Sequence, residues 1–540
     1  MLPLPKRTSY AILAVILLAS LLLRYRMLDV PLERDEGEYA YAGQLLLEGI
    51  PPFKLAYNMK MPGIYAAYAA IMAVFGQSSS GIHLGLGFVN VLSTILLFFL
   101  VRRFFGETAA LSSAALFALL ALSKPILGAF AHATHFVVLF ALLGTWLLLR
   151  ALERNTVPWH FLAGLAFGVS FTMKQHALPF MALAGCVVLW SQWRARASMR
   201  PAAIRAVAFG AGCLTPFGVI CLAMLASGSF GAFWFWTVDY ARAYVSTRTL
   251  EKGFRSFISQ SRRIIDGQFP IWIMALVGLI VLAARPAFRR HSGVLALIAG
   301  ASLLAIVPGL YFREHYYVLV LPVISILAGT GVVALVTWML SRQSESMQRG
   351  VSAAIISILL VLGVVVQWEY LFVLSNTALS RSIYGFNPFV ESVEVGAQLA
   401  RRAAPDDKIA VLGSEPQIYF YAQRKSATGF VYMYPLLEDQ PYALEMQKQM
   451  ITEIEQAAPR FLVSFMAPTS WTDGSSRNND QEKMKFFEWM DRYSRTEYTL
   501  IGVLEPLKDG GYISLWDDAA RQYRPQSGQL VGVFERKAKG

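Results

Sequence analysis

Asp35, Glu36 and Glu38 fall within four positions of one another, in the stretch RDEGEYAYAG that follows the first long apolar run of the chain. A carboxylate at the edge of a membrane is partly desolvated, and desolvation raises its basicity. Such a group can take a proton from a substrate hydroxyl. Asp35 and Glu36 are therefore the candidate catalytic acids, with Glu38 beside them as a candidate substrate contact. Lys60 stands further along the same polar stretch, where a flexible ammonium at headgroup depth suits a lipid phosphate. A later polar stretch holds Arg242, Arg248, Lys252, Arg255, Arg262 and Arg263, of which Arg242, Arg248 and Arg255 are further candidate phosphate ligands. The same acids admit a plainer role: Asp35 as N-cap of a helix over residues 36–48, with acids favoured near its positive end.

The elements that must hold these residues are mostly transmembrane. Of 540 residues, 56% are hydrophobic and 15% charged, which no ordinary soluble domain matches. Apolar runs long enough for about 30 Å of hydrocarbon predict eleven spans, near 9–25, 82–101, 107–123, 130–150, 158–173, 177–193, 205–226, 268–284, 292–310, 316–340 and 350–372. The N-terminus reads as an uncleaved first helix with Lys6 and Arg7 on the cytoplasmic side. Arginines then mark every inner loop: Arg102/Arg103, Arg150/Arg154, Arg194/Arg196/Arg200/Arg205, Arg285/Arg289/Arg290 and Arg342/Arg349. The net charge of +13 follows from this bias and gives no reason to expect nucleic acid. Cys186, Cys213 and Cys221 all lie in apolar runs and imply no disulfide framework.

Two outer loops are long, at about 26–81 and 227–267. Both keep cations on the side that topology disfavours, including Lys54 and Lys60 in the first. An anionic partner at the outer face explains them. Within the first loop, Pro62 opens a second helix to Phe75 with Ile64, Tyr68, Ile71, Met72 and Phe75 on one face. It is too short to span and should lie along the surface; its Tyr65 is a candidate substrate contact. The second loop adds Phe233, Trp234, Phe235, Trp236 and Tyr240, which suit the membrane interface.

From about 373 the pattern changes to alternating helices and strands. PFVESVEVGAQLARRAAP and YALEMQKQMITEIEQAAP read as helices; KIAVLGSE, RFLVSF, YTLIGVLE and QLVGVFERK read as strands. DGSSRNNDQ reads as an exposed loop. Residues 1–372 thus form a transmembrane domain and 373–540 a small extracytoplasmic α/β domain without a Walker or dinucleotide motif. His132, His135 and His176 sit near outer helix ends and read as core histidines; no metal-ligand spacing is visible. A glycosidase would need two carboxylates facing each other across the bond, whereas Asp35 and Glu36 are sequence neighbours. A lipid or glycan transporter or flippase is the alternative function, although paired repeats and broken helices are not evident.

An Asp-Glu pair followed by YA, then K-x-P opening a second helix with aromatics, then FG, then a helix ending RRFFG resembles the GT-C superfamily of integral-membrane glycosyltransferases over residues 31–106. The protein O-mannosyltransferase-like and aminoarabinose-transferase-like branch is the most similar. REHYYVLVLP, residues 313–322, is similar to the aromatic-rich stretch those proteins carry before a late helix. The resemblance implies a GT-C-like fold in the cytoplasmic (inner) membrane with the C-terminal domain in the periplasm. It implies transfer of a sugar, hexosyl or pentosyl, from a polyprenyl-phosphate donor to a glycan, lipid or protein acceptor at the outer face, with inversion. It makes Asp35 the general base and Lys60 the donor-phosphate ligand. It adds Glu314, His315 and Tyr316 as substrate contacts. Where some relatives carry a metal-ligating acid before that lysine, this chain has Met59, which puts a bound divalent metal in doubt without excluding it; no cofactor is certain.

Overall fold

The computed structural model describes residues 4–196, 198–284, 292–472 and 481–538. Arg285, Arg289 and Arg290, assigned above to an inner loop, lie outside the described residues, as do residues 473–480 of DGSSRNNDQ. The chain is a mostly α-helical polytopic membrane protein with a small C-terminal sheet. Helices α1 (Lys6–Tyr25), α2 (Arg34–Leu47), α3 (Pro62–Phe75) and α4 (Ser79–Leu120) come first. α4 covers two of the expected spans, broken at Gly106, whose φ of 81° suits glycine alone. Helices lie at all the expected span positions, but length and composition qualify six of the described ones, or seven if Leu250–Asp266 and Phe269–Ala284, bent by 103°, count as one. Lys6–Tyr25, Met199–Ala226 and Glu345–Val366 turn Leu18, Leu22, Leu214, Leu222, Val361 and Val365 outward. Apolar side chains on the outside fit lipid as the solvent.

Polar groups go inward instead. Buried Arg24 at the end of α1 donates to the carbonyls of Ala121 and Gly128 at 2.9 Å each. The bond to Ala121 closes a carbonyl at the C-terminal end of α4, and the bond to Gly128 ties down the turn that follows.

The C-terminal region carries five strands, β1 (Ile409–Leu412), β2 (Phe461–Phe465), β3 (Tyr498–Pro506), β4 (Tyr512–Trp516) and β5 (Val531–Arg536), in the order β1-β2-β5-β3-β4. β1 and β2 run parallel, with Ile409 opposite Phe461; the other pairs are antiparallel. β1 is buried throughout, which explains its unbroken apolar run. The four expected strands are present; β4 and the helix Gln481–Glu497 were not expected. Helix Gln417–Ala422 packs against α2 so closely that a Cβ on Gly37 would lie 2.6 Å from Gln417. The C-terminal region is thus seated directly on the first outer loop.

Candidate active site

The start of α2 decides which acid faces what. The Glu33 carboxylate accepts from the backbone N–H of Glu36 at 2.9 Å, and the Glu36 carboxylate accepts from the backbone N–H of Glu33 at 3.3 Å. This reciprocal cap satisfies two of the orphan donors of the first turn. Glu33, not Asp35, is therefore the N-cap, because a Glu pair three residues apart meets both donors. Glu36 is turned away from solvent into the cap and its surroundings. It is fully buried, also accepts from Ala131 N at 2.5 Å, lies 3.0 Å from His83 Nε2, and does not line the cavity described next.

Asp35, inside the first turn, points into a cavity of about 280 Å³ between ends of the membrane helices and the C-terminal region. Lys60, His132, Lys174, Arg313, Glu314, His315, Tyr316 and Tyr432 are among its walls. Asp35 Oδ1 accepts from Lys60 Nζ at 3.0 Å and from the Tyr432 hydroxyl at 2.8 Å, while Oδ2 lies 4.0 Å from His132 Nδ1. Burial opposes the Asp35 charge, but Lys60, His132 and Lys174 outweigh it and hold the carboxyl far below the usual range. Glu38 goes the other way: burial pushes it up to about 8, against the pull of Lys60. It accepts from the Tyr65 hydroxyl at 2.5 Å and from Asn58 Nδ2 at 2.8 Å, behind the cavity wall.

Lys174 follows the helix Val157–Met173 and is buried. Its Nζ lies 3.2 Å from His315 Nε2 and 4.5 Å from the centre of the Tyr316 ring. Burial, then Lys60, brings its pKa down to about 7. Lys60 and Lys174 also line a second, apolar cavity of about 150 Å³, which includes Met61, Ala133, Met173, Val245 and Pro308. Both cavities share Met59, Lys60, Lys174, Tyr244 and Tyr316, so the two ammonium groups stand where a polar chamber meets an apolar one.

The structure gathers Asp35, Lys60, Glu314, His315 and Tyr316 around one chamber, with Glu38 and Tyr65 just behind. Glu314 also pairs with Arg263 at 2.9 Å, and the His315 ring stacks on His132 at 4.2 Å. The arginines of the second outer loop are not brought there. Arg242 is exposed, Arg248 lies 4.3 Å above the Tyr311 ring, and Arg255 is exposed and paired with Glu251. None of the three lines the chamber. The aromatics of that loop are mostly core: Phe233, Trp236 and Tyr240 are buried, and Trp236 stacks on Tyr57 at 5.7 Å. His135 hydrogen-bonds Asn90 at 3.3 Å, and His176 packs on Tyr316 at 4.4 Å. Among the wall residues that escaped sequence reasoning are Arg34, Lys174, Arg313 and Tyr432. Lys174 carried a readable signal, being a further cation in an outer loop.

Asp35, His132 and His315 each offer a ligand atom, all within 4.8 Å of one another. Their separation in sequence hid this grouping. Two ammonium groups compete with an ion there, Lys60 on Asp35 Oδ1 and Lys174 against His315 Nε2, while Asp35 Oδ2 and both ring nitrogens of His132 have no hydrogen bond among the described residues.

Helices at the expected span positions, the two short helices α2 and α3 and a C-terminal sheet seated on them make a GT-C-like fold, and comparison with known proteins bears out that resemblance. A sequence model of the dolichyl-phosphate-mannose-protein mannosyltransferase family matches residues 59–221, a stretch that begins just before Lys60 and leaves out Asp35. The apo structure of ArnT from Cupriavidus metallidurans aligns with a TM-score of 0.58 at 14% identity, covering 98% of this chain and 98% of that one. The same protein bound to undecaprenyl phosphate aligns at 0.57 and 15% identity, covering 93% and 97%. The oligosaccharyltransferase AglB from Archaeoglobus fulgidus, in complex with an inhibitory peptide and a dolichol-phosphate, aligns at 0.53 and 13%, covering 95% and 74%. No curated protein matches the sequence.

Proposed function

We propose that the chain is a glycosyltransferase that moves a sugar from a polyprenyl-phosphate carrier to an acceptor hydroxyl at the outer membrane face. The observation that carries this reading is the placement of Lys60 and Lys174 at the junction of the two cavities, beside Asp35. The apolar chamber suits the first isoprene units of the carrier. The two ammonium groups suit its phosphate, and the larger chamber suits the sugar and acceptor. The similarity to a structure holding undecaprenyl phosphate supports the same donor class.

In this reading the acceptor's hydroxyl attacks the anomeric carbon from the face opposite the phosphate, and the configuration inverts. The acceptor proton passes to Asp35, and the phosphate leaves with the bonding electron pair. Lys60 and Lys174 offset the charge that builds on the phosphate oxygens. A carboxylate held by Lys60 is a weak base, and a poor match to proton transfer near neutral pH. Arrival of the donor phosphate draws Lys60 away from Oδ1 and returns basicity to Asp35 when it is needed. Glu36 serves as the partner of the Glu33 cap in the turn that aims Asp35, and the second-loop arginines act at the membrane surface rather than on the phosphate. Residues 1–372 form the transferase domain in the inner membrane, with the N-terminus cytoplasmic, and 373–540 its periplasmic domain.

The test is mass spectrometry of lipid-linked sugars and envelope glycans from cells with and without the gene. Loss of the gene should raise one polyprenyl-phosphate sugar and remove one residue from a glycan, lipid or protein. Unchanged pools of both would reject transfer and favour a transporter.

A further inference from the structure

Several side chains of the C-terminal region reach the chamber, and among the described residues Tyr432 is the one that hydrogen-bonds Asp35. Tyr432 is buried, and its hydroxyl donates to Asp35 Oδ1 at 2.8 Å across 397 residues of sequence. The segment that carries it is fixed on both sides. Upstream, the backbone N–H of Tyr57 donates to Gly429 O at 2.6 Å, and a Cβ on Gly429 would lie 2.3 Å from the Tyr57 ring. The Ser426 hydroxyl donates to Leu55 O at 2.8 Å. Downstream, Arg34 reaches the Tyr434 hydroxyl at 2.7 Å, Ser414 O at 2.5 Å and Glu415 at 3.0 Å. The residue next to Asp35 is thus clamped to the same segment that delivers Tyr432.

Oδ1 therefore receives two donors, Lys60 and Tyr432, while Oδ2 has no hydrogen bond among the described residues. Oδ2 is the oxygen left for a substrate proton. If the donor phosphate takes Lys60, Tyr432 is the one remaining donor that fixes the plane of the carboxylate.

We propose that Tyr432 is a positioning residue for Asp35: the C-terminal region supplies the hydroxyl that orients the base, so that it completes the reaction centre rather than merely covering it. This rests on the reading of Asp35 as the base.

Tyr432→Phe keeps the ring and removes only the donor, whereas Tyr432→Ala removes both. Each is compared with wild type in gene-deleted cells at matched protein level, reading the restored glycan. Binding of undecaprenyl phosphate to purified protein is read in parallel. Loss of a hydrogen bond to a charged group predicts transfer lowered by about tenfold to a hundredfold for Tyr432→Phe, nearly as much as for Tyr432→Ala, with undecaprenyl phosphate affinity within about twofold of wild type. Tyr432→Phe within about twofold of wild-type transfer, with Tyr432→Ala impaired, would overturn the proposal and leave Tyr432 a packing residue. An equal loss of donor binding in Tyr432→Phe would overturn it too, since the hydroxyl would then shape the chamber as a whole. Asp35→Asn is the control: if it transfers normally, the base reading itself fails, and a loss confined to Tyr432→Phe cannot then be assigned to orientation of Asp35.

Discussion

The second outer loop holds more cations than the first, yet the first supplies the charge that faces Asp35. Lys60 is fixed between α2 and α3, with its ammonium 3.0 Å from Asp35 and 3.4 Å from the Tyr39 hydroxyl. Arg255 sits on an exposed face of the helix Leu250–Asp266, its side chain 77% exposed and paired with Glu251 one turn away. The same unit charge does different work in these settings. Solvent and salt screen the exposed guanidinium, while the half-buried ammonium is screened much less. Burial, not the number of cations, marks where an anion is to be held.

The contrast between neighbouring acids is the first place to break this account. Asp35→Asn should lower transfer by about a hundredfold to ten-thousandfold, the range of a lost general base, with the protein still folded by thermal unfolding in detergent. Glu36→Gln should act on the fold instead. It places an amide donor opposite backbone N–H groups and should cost about 1–3 kcal/mol of stability, seen as a lower melting temperature. Equal catalytic losses with equal stability would erase the distinction between the two.

The sequence made some of this legible and hid the rest for physical reasons. Period and length placed the membrane helices, and Pro62 and Phe75 bounded α3 as expected. The Asp-Glu pair and Lys60 were visible because charge near a membrane is costly and needs a purpose. The cap was misassigned because Asp35 and Glu33 both satisfy local rules, and only the i,i+3 partnership with Glu36 separates them. β4 was missed because all five of its residues are half-buried, so the alternation that marks a strand is weak. The grouping of Asp35, His132, His315 and Tyr432 spans most of the chain and follows from tertiary packing alone.

A smaller effect sharpens the role of Lys174. Its pKa is depressed to about 7, so the amine is charged below that pH and neutral above it. A lipid phosphate has nearly completed its second ionisation at neutral pH, so its own charge changes little on going higher. Affinity for undecaprenyl phosphate should therefore fall by about tenfold between pH 7 and pH 9. Lys174→Arg, which keeps its charge, should flatten that fall. A titration series at several pH values checks both.

The most direct measurement sets the two loops against each other in one experiment. Purified wild type, a Lys60→Met/Lys174→Met double variant and an Arg242→Gln/Arg248→Gln/Arg255→Gln triple variant are titrated with undecaprenyl phosphate. The account predicts affinity weakened by about a hundredfold or more in the double variant and within about threefold of wild type in the triple. Binding that survives in the double variant and disappears in the triple would contradict it.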